Sequence, residues 1–295
     1  MDIQRIGIVG CGLMGSGIAQ CAAEADYEVW VKEAEEAFLA KGLGRIHGAW
    51  DRAVGKGKIT EEQRTAFARR VHGTLGFADL ADCDLVIEAV PERMDLKLQT
   101  FVELDKVLGP QALLCTNTSS LSVTHLSPAL PPQRLPRLAG LHFFNPVPAM
   151  PLVEIVRTLA TGGETLTALR AFIQRLGKTA AMAPDAPGFI VNRLLVPYML
   201  DAVRCAEQRL ATVEDIDTGM RLGCGHPMGP LHLADFVGLD TMQSVADVMF
   251  EAFGEPRFKA PSVLRQLVAA GRLGRKSGAG FYRWEGEKRM EVLPL

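Results

Sequence analysis

The chain has 295 residues, 48% of them hydrophobic, and a formal net charge of −2 with basic and acidic side chains interspersed. Such a balance gives no single-signed field, which excludes nucleic acid and anionic membrane surfaces as expected partners and points to a small molecule. Six cysteines stand apart, with no Cys-x-x-Cys pair and no tight Cys/His cluster, so reduced thiols and no metal site are expected.

From the N-terminus, Met1-Asp2-Ile3-Gln4-Arg5 leads straight into a strand, and the apolar run near Leu194 is broken by Asn192, Arg193 and Pro197. A signal peptide and a membrane span are therefore not expected, and a cytoplasmic location is. Arg5-Ile6-Gly7-Ile8-Val9 reads as a buried strand, Gly10 to Gly15 as its turn, and Ser16 to Ala25 as a helix by apolar spacing. Glu28 to Val31 is a second strand ending at Lys32-Glu33, and Ala34 to Val54 is a long helix with a polar face. Thr60, with Glu62 and Gln63 behind it, caps a further helix. Strands follow at Val71–Leu75, Asp84–Glu88, Ala112–Thr116 and Leu138–His142, a helix at Glu164–Leu176 and a last short strand at Thr179–Ala183. Alternating strands and helices imply a parallel sheet covered on both faces. Past Pro187-Gly188 apolar residues recur at helical spacing, with no convincing strand before Phe281-Tyr282. The expected architecture is α/β: a Rossmann-type doubly wound, mostly parallel sheet over residues 1–186, then an all-helical domain over residues 187–295.

Gly10-x-Gly12-x-x-Gly15 follows a buried strand and opens a helix, so a pyrophosphate can approach bare backbone around Leu13 and Met14 and meet the positive end of the helix dipole. Glu33 ends the second strand, eighteen residues beyond Gly15, where an acid receives the adenosine ribose hydroxyls. Its charge favours NAD by repelling the extra phosphate of NADP, although the neighbouring Lys32 could receive that phosphate, which leaves NADP as the lesser alternative. The loop after Asp84–Glu88 can line the same groove through Glu92 and Lys97, or those two can form an ordinary surface pair. The hydroxyls of Asn117-Thr118-Ser119-Ser120-Leu121-Ser122 follow a strand's C-terminal end, where ligands collect; they could bond a substrate oxygen or cap the next helix. Nucleophilic attack by one of them is not expected, since no Gly-x-Ser-x-Gly elbow surrounds them.

Leu141 to Val156 is the most informative stretch. Two buried strands are joined by a loop in which three prolines forbid a helix. His142 ends the first, and Glu154 is a carboxylate inside the apolar Leu-Val-Glu-Ile-Val, where a charge requires a partner. If the two meet, they form either a structural ion pair or a general base with an orienting acid behind it.

Taken together these segments resemble the L-3-hydroxyacyl-CoA dehydrogenase family, and within it the stand-alone bacterial 3-hydroxybutyryl-CoA dehydrogenases. The resemblance runs from the glycine turn through His142–Val156, Pro187–Arg193, His226–Pro230 and Gly274–Gly278 to Phe281-Tyr282. It implies that His142 is the catalytic base, Glu154 its orienting acid, Ser119 a hydrogen-bond partner of the substrate's 3-oxygen, and Asn192 a contribution of the helical domain. It likewise implies that Glu92, Lys97, Asn117 and Asn145 lie near the nicotinamide and its ribose. Arg52 and Lys56 then meet the CoA nucleotide, or else belong to a solvated helix face. An acyl-CoA substrate and a homodimer formed through the helical domain are implied as well. The rival readings are a dehydrogenase of the same fold acting on a free hydroxy acid or sugar acid, and a non-catalytic NAD-binding protein. Three departures from the family pattern stand out: Glu33 in place of Asp, Pro151 where relatives often carry Lys, and a proline-richer Ser127–Arg137 connection.

Overall fold

The computed structural model describes residues 2–119 and 121–295, so Ser120 of the hydroxyl-rich loop lies outside the described residues. The chain forms two compact units, Met1–Ala186 and Pro187–Leu295.

The first unit runs β1 (Arg5–Val9), α1 (Leu13–Glu24), β2 (Glu28–Lys32), α2 (Glu36–Gly55), α3 (Glu61–Arg69), β3 (Val71–Thr74), β4 (Leu85–Glu88), α4 (Met94–Val107), β5 (Leu113–Thr116), β6 (Leu138–Phe143), β7 (Leu152–Arg157), α5 (Gly163–Arg175) and β8 (Thr179–Pro184). Its eight strands form one sheet in the order β3-β2-β1-β4-β5-β6-β7-β8. Every neighbouring pair is parallel except β6 and β7. The central strands are apolar on both faces because helices cover both, and β4, β5 and β6 are buried along their whole lengths. The strand order reverses direction at β1, between β2 and β4, and a crevice opens at such a switch point. α2 buries Leu39, Gly42, Ile46 and Trp50 at helical spacing and leaves its other face to solvent. Thr60 and Gln63 close a reciprocal capping box at the start of α3.

The second unit comprises α6 (Val191–Glu207), α7 (Val213–Thr218), α8 (Pro230–Val237), α9 (Leu239–Phe253), α10 (Ser262–Ala269) and a hairpin of β9 (Tyr282–Glu285) and β10 (Lys288–Val292). The hairpin departs from the all-helical expectation. It forms because the side chains of Tyr282, Arg283, Trp284 and Glu285 alternate between inside and outside, and because two buried carboxylates hold its first strand. Asp235 accepts from the amides of Phe281 (2.8 Å) and Tyr282 (2.9 Å) and from the Trp284 indole (2.9 Å). Asp217 accepts from the Tyr282 hydroxyl (2.7 Å) and from the Leu231 and His232 amides at the start of α8. Burial pushes the Asp235 carboxyl up from its ordinary range, and the three donors oppose that shift.

Among the described residues no helix is long and apolar enough to cross a membrane. Cys11, Cys21, Cys83 and Cys115 are buried, Cys205 is intermediate and Cys224 is exposed, all as free thiols. Burial pushes Cys21 up to about 11 and Cys11 and Cys83 up to about 12. Thiolate is the reactive form. Titration of the folded protein with a thiol-specific disulfide reagent at neutral pH should therefore label Cys224 rapidly, and the four buried thiols only after denaturation. Fast labelling of Cys115 in the folded state would contradict the packing described.

Candidate active site

At the switch point the glycine turn is shaped by close approach. Gly10 adopts φ +95°, and a Cβ there would lie 2.7 Å from the Ala89 carbonyl; a Cβ on Gly15 would lie 1.8 Å from the Gly10 carbonyl. Gly12 faces open space. No acidic side chain sits in the first turn of α1, so the positive end of that helix is left for a ligand. Leu13, Met14 and Glu33 line a groove of about 800 Å³ with residues of α2 and α4. One oxygen of Glu33 accepts from the Cys11 amide at 2.5 Å, and the other from the Ala34 amide at 3.1 Å. Burial lowers the titration of the adjacent Lys32 ammonium, which sits 4.1 Å above the Phe77 ring. A bare-backbone turn, an unopposed helix N-terminus and an acid at the end of β2 suit a dinucleotide with free ribose hydroxyls. Glu92, Asn117, His142 and Asn145 do not line this groove; they belong to the neighbouring strand ends.

There the antiparallel pairing of β6 and β7 sets His142 directly opposite Glu154, and opposed residues share a sheet face. Nδ1 of His142 lies 2.6 Å from Oε2 of Glu154, with the imidazole 4% exposed and the carboxylate wholly buried. The Phe144 ring packs against the imidazole, its centroid 4.4 Å away. Asn117, just past β5, accepts from the Phe143 amide at 3.1 Å and so ties the hydroxyl-rich loop to the strand that ends in the imidazole. Asn145 is exposed on the loop between β6 and β7, where its peptide bond to Pro146 is cis.

Of the two readings the sequence allows for Glu92 and Lys97, a cofactor-lining pair or an ordinary surface pair, the structure excludes the second. Lys97 is fully buried, and its Nζ lies 2.8 and 2.9 Å from the two oxygens of Glu88 and 3.3 Å from Glu92. Thr116 donates to Glu88 at 2.5 Å, and the amide of Val90 donates to the same carboxylate at 2.7 Å. Glu92 in turn accepts from the Ser119 amide at 3.0 Å and from the Thr118 hydroxyl. A buried lysine thus reaches the loop of Ser119 through a single carboxylate, and its own ammonium is closed to solvent. Burial pushes the Glu88 carboxyl up, against the pull of Lys97 and Thr116. Sequence reasoning passed over Glu88, although it carries the same signal as Glu154: an acid at the end of an apolar strand. It also passed over Asp185, whose two oxygens accept from the Ser122 hydroxyl (2.8 Å) and from the Val123 and Thr124 amides (3.0 and 2.6 Å), anchoring the far end of the same loop.

Arg52 and Lys56 are exposed at the C-terminal end of α2, and Asn192 lies in the first turn of α6 in the second unit.

Comparison with known proteins agrees with this geometry. The family model described as "3-hydroxyacyl-CoA dehydrogenase, NAD binding domain" matches residues 5–186, and that for the "C-terminal domain" matches residues 188–284. A 3-hydroxybutyryl-CoA dehydrogenase of Mycobacterium tuberculosis is 48% identical over 284 residues, covering 96% of this chain and 99% of the relative. The mitochondrial hydroxyacyl-coenzyme A dehydrogenase of Rattus norvegicus is 42% identical, covering 96% and 92%. The crystal structure of (S)-3-hydroxybutyryl-CoA dehydrogenase from Ralstonia eutropha superposes with a TM-score of 0.92 at 40% identity, covering 96% of this chain and all of that one.

Removing the Lys97 ammonium should leave the buried Glu88 carboxyl without its counter-ion. Lys97→Met is expected to destabilise the protein by about 3–5 kcal/mol. Adding Glu88→Gln, which still accepts from Val90, should restore most of that loss. Thermal melts of the single and double variants measure this, and equal melting of Lys97→Met and the parent would mean that the pair is not coupled.

Proposed function

This chain belongs to the 3-hydroxyacyl-CoA dehydrogenase family, and on that footing we propose that it interconverts (S)-3-hydroxybutyryl-CoA and acetoacetyl-CoA with NAD. The observation that carries the reading is the 2.6 Å contact between His142 and a fully buried Glu154 at the C-terminal end of a parallel sheet, beside a groove suited to a dinucleotide. When bound, the nicotinamide exchanges the hydride with C3 of the acyl chain. His142 takes the hydroxyl proton in one direction and returns it in the other. With Nδ1 committed to Glu154, that exchange falls to Nε2, and the carboxylate stabilises the imidazolium that forms. The amide of Ser119 is held by Glu92, and its hydroxyl is assigned to the substrate's 3-oxygen. Asn145, Asn117 and Glu92 are assigned the walls of the nicotinamide end. Arg52 and Lys56 receive the CoA phosphates.

NAD is preferred over NADP because Glu33 places a carboxylate at the end of β2, where the 2′-phosphate would stand. A homodimer assembled through the second unit and a cytoplasmic location complete the reading.

His142→Ala should lower kcat by about 10²- to 10⁴-fold, the usual worth of a general base, while NADH affinity stays unchanged. Steady-state reduction of acetoacetyl-CoA beside a fluorescence titration of NADH measures both; lost binding with normal turnover of the bound fraction would refute the assignment. Glu154→Gln preserves shape and removes the charge, so kcat should again fall with NADH binding intact. Replacing Arg52 and Lys56 together by Met should raise KM for acetoacetyl-CoA several-fold with kcat unchanged, whereas free acetoacetate should be a poor substrate of the parent enzyme. Equal use of acetoacetate and its thioester would exclude the CoA assignment.

A further inference from the structure

We propose that the adenosine end of the groove is a suppressed 2′-phosphate site, built from Lys32, Lys41 and Arg45 and held to the non-phosphorylated dinucleotide by Glu33. The proposal deepens the cofactor reading above and rests on it.

All four side chains line the same groove. Lys41 and Arg45 are one turn apart on the exposed face of α2, with Phe38 a turn before them. The helix comes close to the glycine turn through Gly42 on its buried face, next to Lys41: a Cβ there would stand 2.3 Å from the Cys11 sulfur, so only glycine lets the helix approach so closely. Nη1 of Arg45 then donates to the Cys11 carbonyl at 3.1 Å, while Glu33 accepts from the Cys11 amide at 2.5 Å. Carboxylate and guanidinium thus each hold a backbone group of the same residue, Cys11, at the mouth of the glycine turn. Arg45 commits a single N–H to that carbonyl, and a guanidinium carries five. Lys32 lines the groove as well, its ammonium 4.1 Å from the centroid of the Phe77 ring. The other acid lining the groove, Glu103, comes from α4.

A ribose with two hydroxyls donates to Glu33 and needs no cations. A 2′-phosphate brings a charge of roughly −2 and oxygens that only accept, so an acceptor-only carboxylate rejects it while three donors of positive charge would hold it. On this account one negative charge decides the discrimination, and the receptor for the rejected group is already in place. Arg52 and Lys56 continue the cationic face of α2. A 3′-phosphate, such as the CoA nucleotide carries, must therefore be distinguished from a 2′-phosphate.

Calorimetric titration of the full chain with 5′-ADP, 2′,5′-ADP and 3′,5′-ADP tests this without turnover. The parent should bind 5′-ADP more tightly than 2′,5′-ADP. Glu33→Gln keeps an acceptor for the Cys11 amide and should bind 2′,5′-ADP about tenfold more tightly than the parent, with little change for 3′,5′-ADP. Glu33→Ser, which lacks that acceptor, should show the same gain and guards against a shape effect. Adding Lys41→Met and Arg45→Met to Glu33→Gln should abolish the gain and leave 5′-ADP binding close to that of Glu33→Gln alone. Unchanged 2′,5′-ADP affinity in both Glu33 variants, or a gain that survives loss of Lys41 and Arg45, overturns the proposal. So does an equal gain for 3′,5′-ADP, which would assign these cations to the CoA nucleotide, or a loss of 5′-ADP binding in the triple variant beyond that of Glu33→Gln alone, which would assign them to the pyrophosphate. Failure of the parent to bind 5′-ADP at all would sink the dinucleotide reading itself, and this proposal with it.

Discussion

The antiparallel pairing of β6 with β7 is the constraint on which the site depends. Every other neighbouring pair in this sheet is parallel, and parallel strands are joined by a crossover that carries the chain away over one face. Here the chain instead turns back through the proline-rich loop, so the strand after the imidazole brings a carboxylate into direct opposition with it. A slip of one residue in that register would carry Glu154 to the other face of the sheet, leaving a charge in an apolar layer and an imidazole without an orienting acid.

The same device recurs at lower visibility. Glu88 at the end of β4 and Glu154 inside β7 are both fully buried acids in apolar strands, each matched by a basic side chain from elsewhere in the first unit. One pair joins adjacent strands and ends in an imidazole. The other joins a strand to α4 and ends, through Glu92, at the amide of Ser119. With Asn117 on the Phe143 amide and Asp185 on the far side, the hydroxyl-rich loop is held from three directions by groups that are themselves held. A loop at a sheet's C-terminal edge is ordinarily the mobile part of an α/β protein, and these bonds restrain it.

In the second unit buried carboxylates serve packing instead. Asp217 and Asp235 accept from backbone amides, a phenol hydroxyl and an indole N–H, with Arg289 4.0 Å from Asp217, and so pin the hairpin to α8. Buried acids alone therefore do not mark chemistry; what distinguishes His142 and Glu154 is a titratable partner at a strand end where a ligand can approach.

Periodicity and turn chemistry were enough to read the sheet and most helices from the residues, because continuous apolar runs, glycine turns and caps such as Thr60 act over a few neighbours. Of the terminal hairpin the sequence offers only a strand at Phe281-Tyr282, since what holds the pair of strands in place is Asp235, more than forty residues earlier. The burial of Lys97 is likewise invisible to spacing, which shows Glu92 five residues before it, while its main partner, Glu88, lies nine residues away at the end of another element. The chain by itself determined which side chains were anomalous, because a charge inside an apolar strand or a glycine opening a helix is visible one residue at a time. Which anomalies meet was decided only by tertiary structure, because strand register, helix approach at Gly42 and the burial of Lys97 depend on groups that the linear order keeps apart.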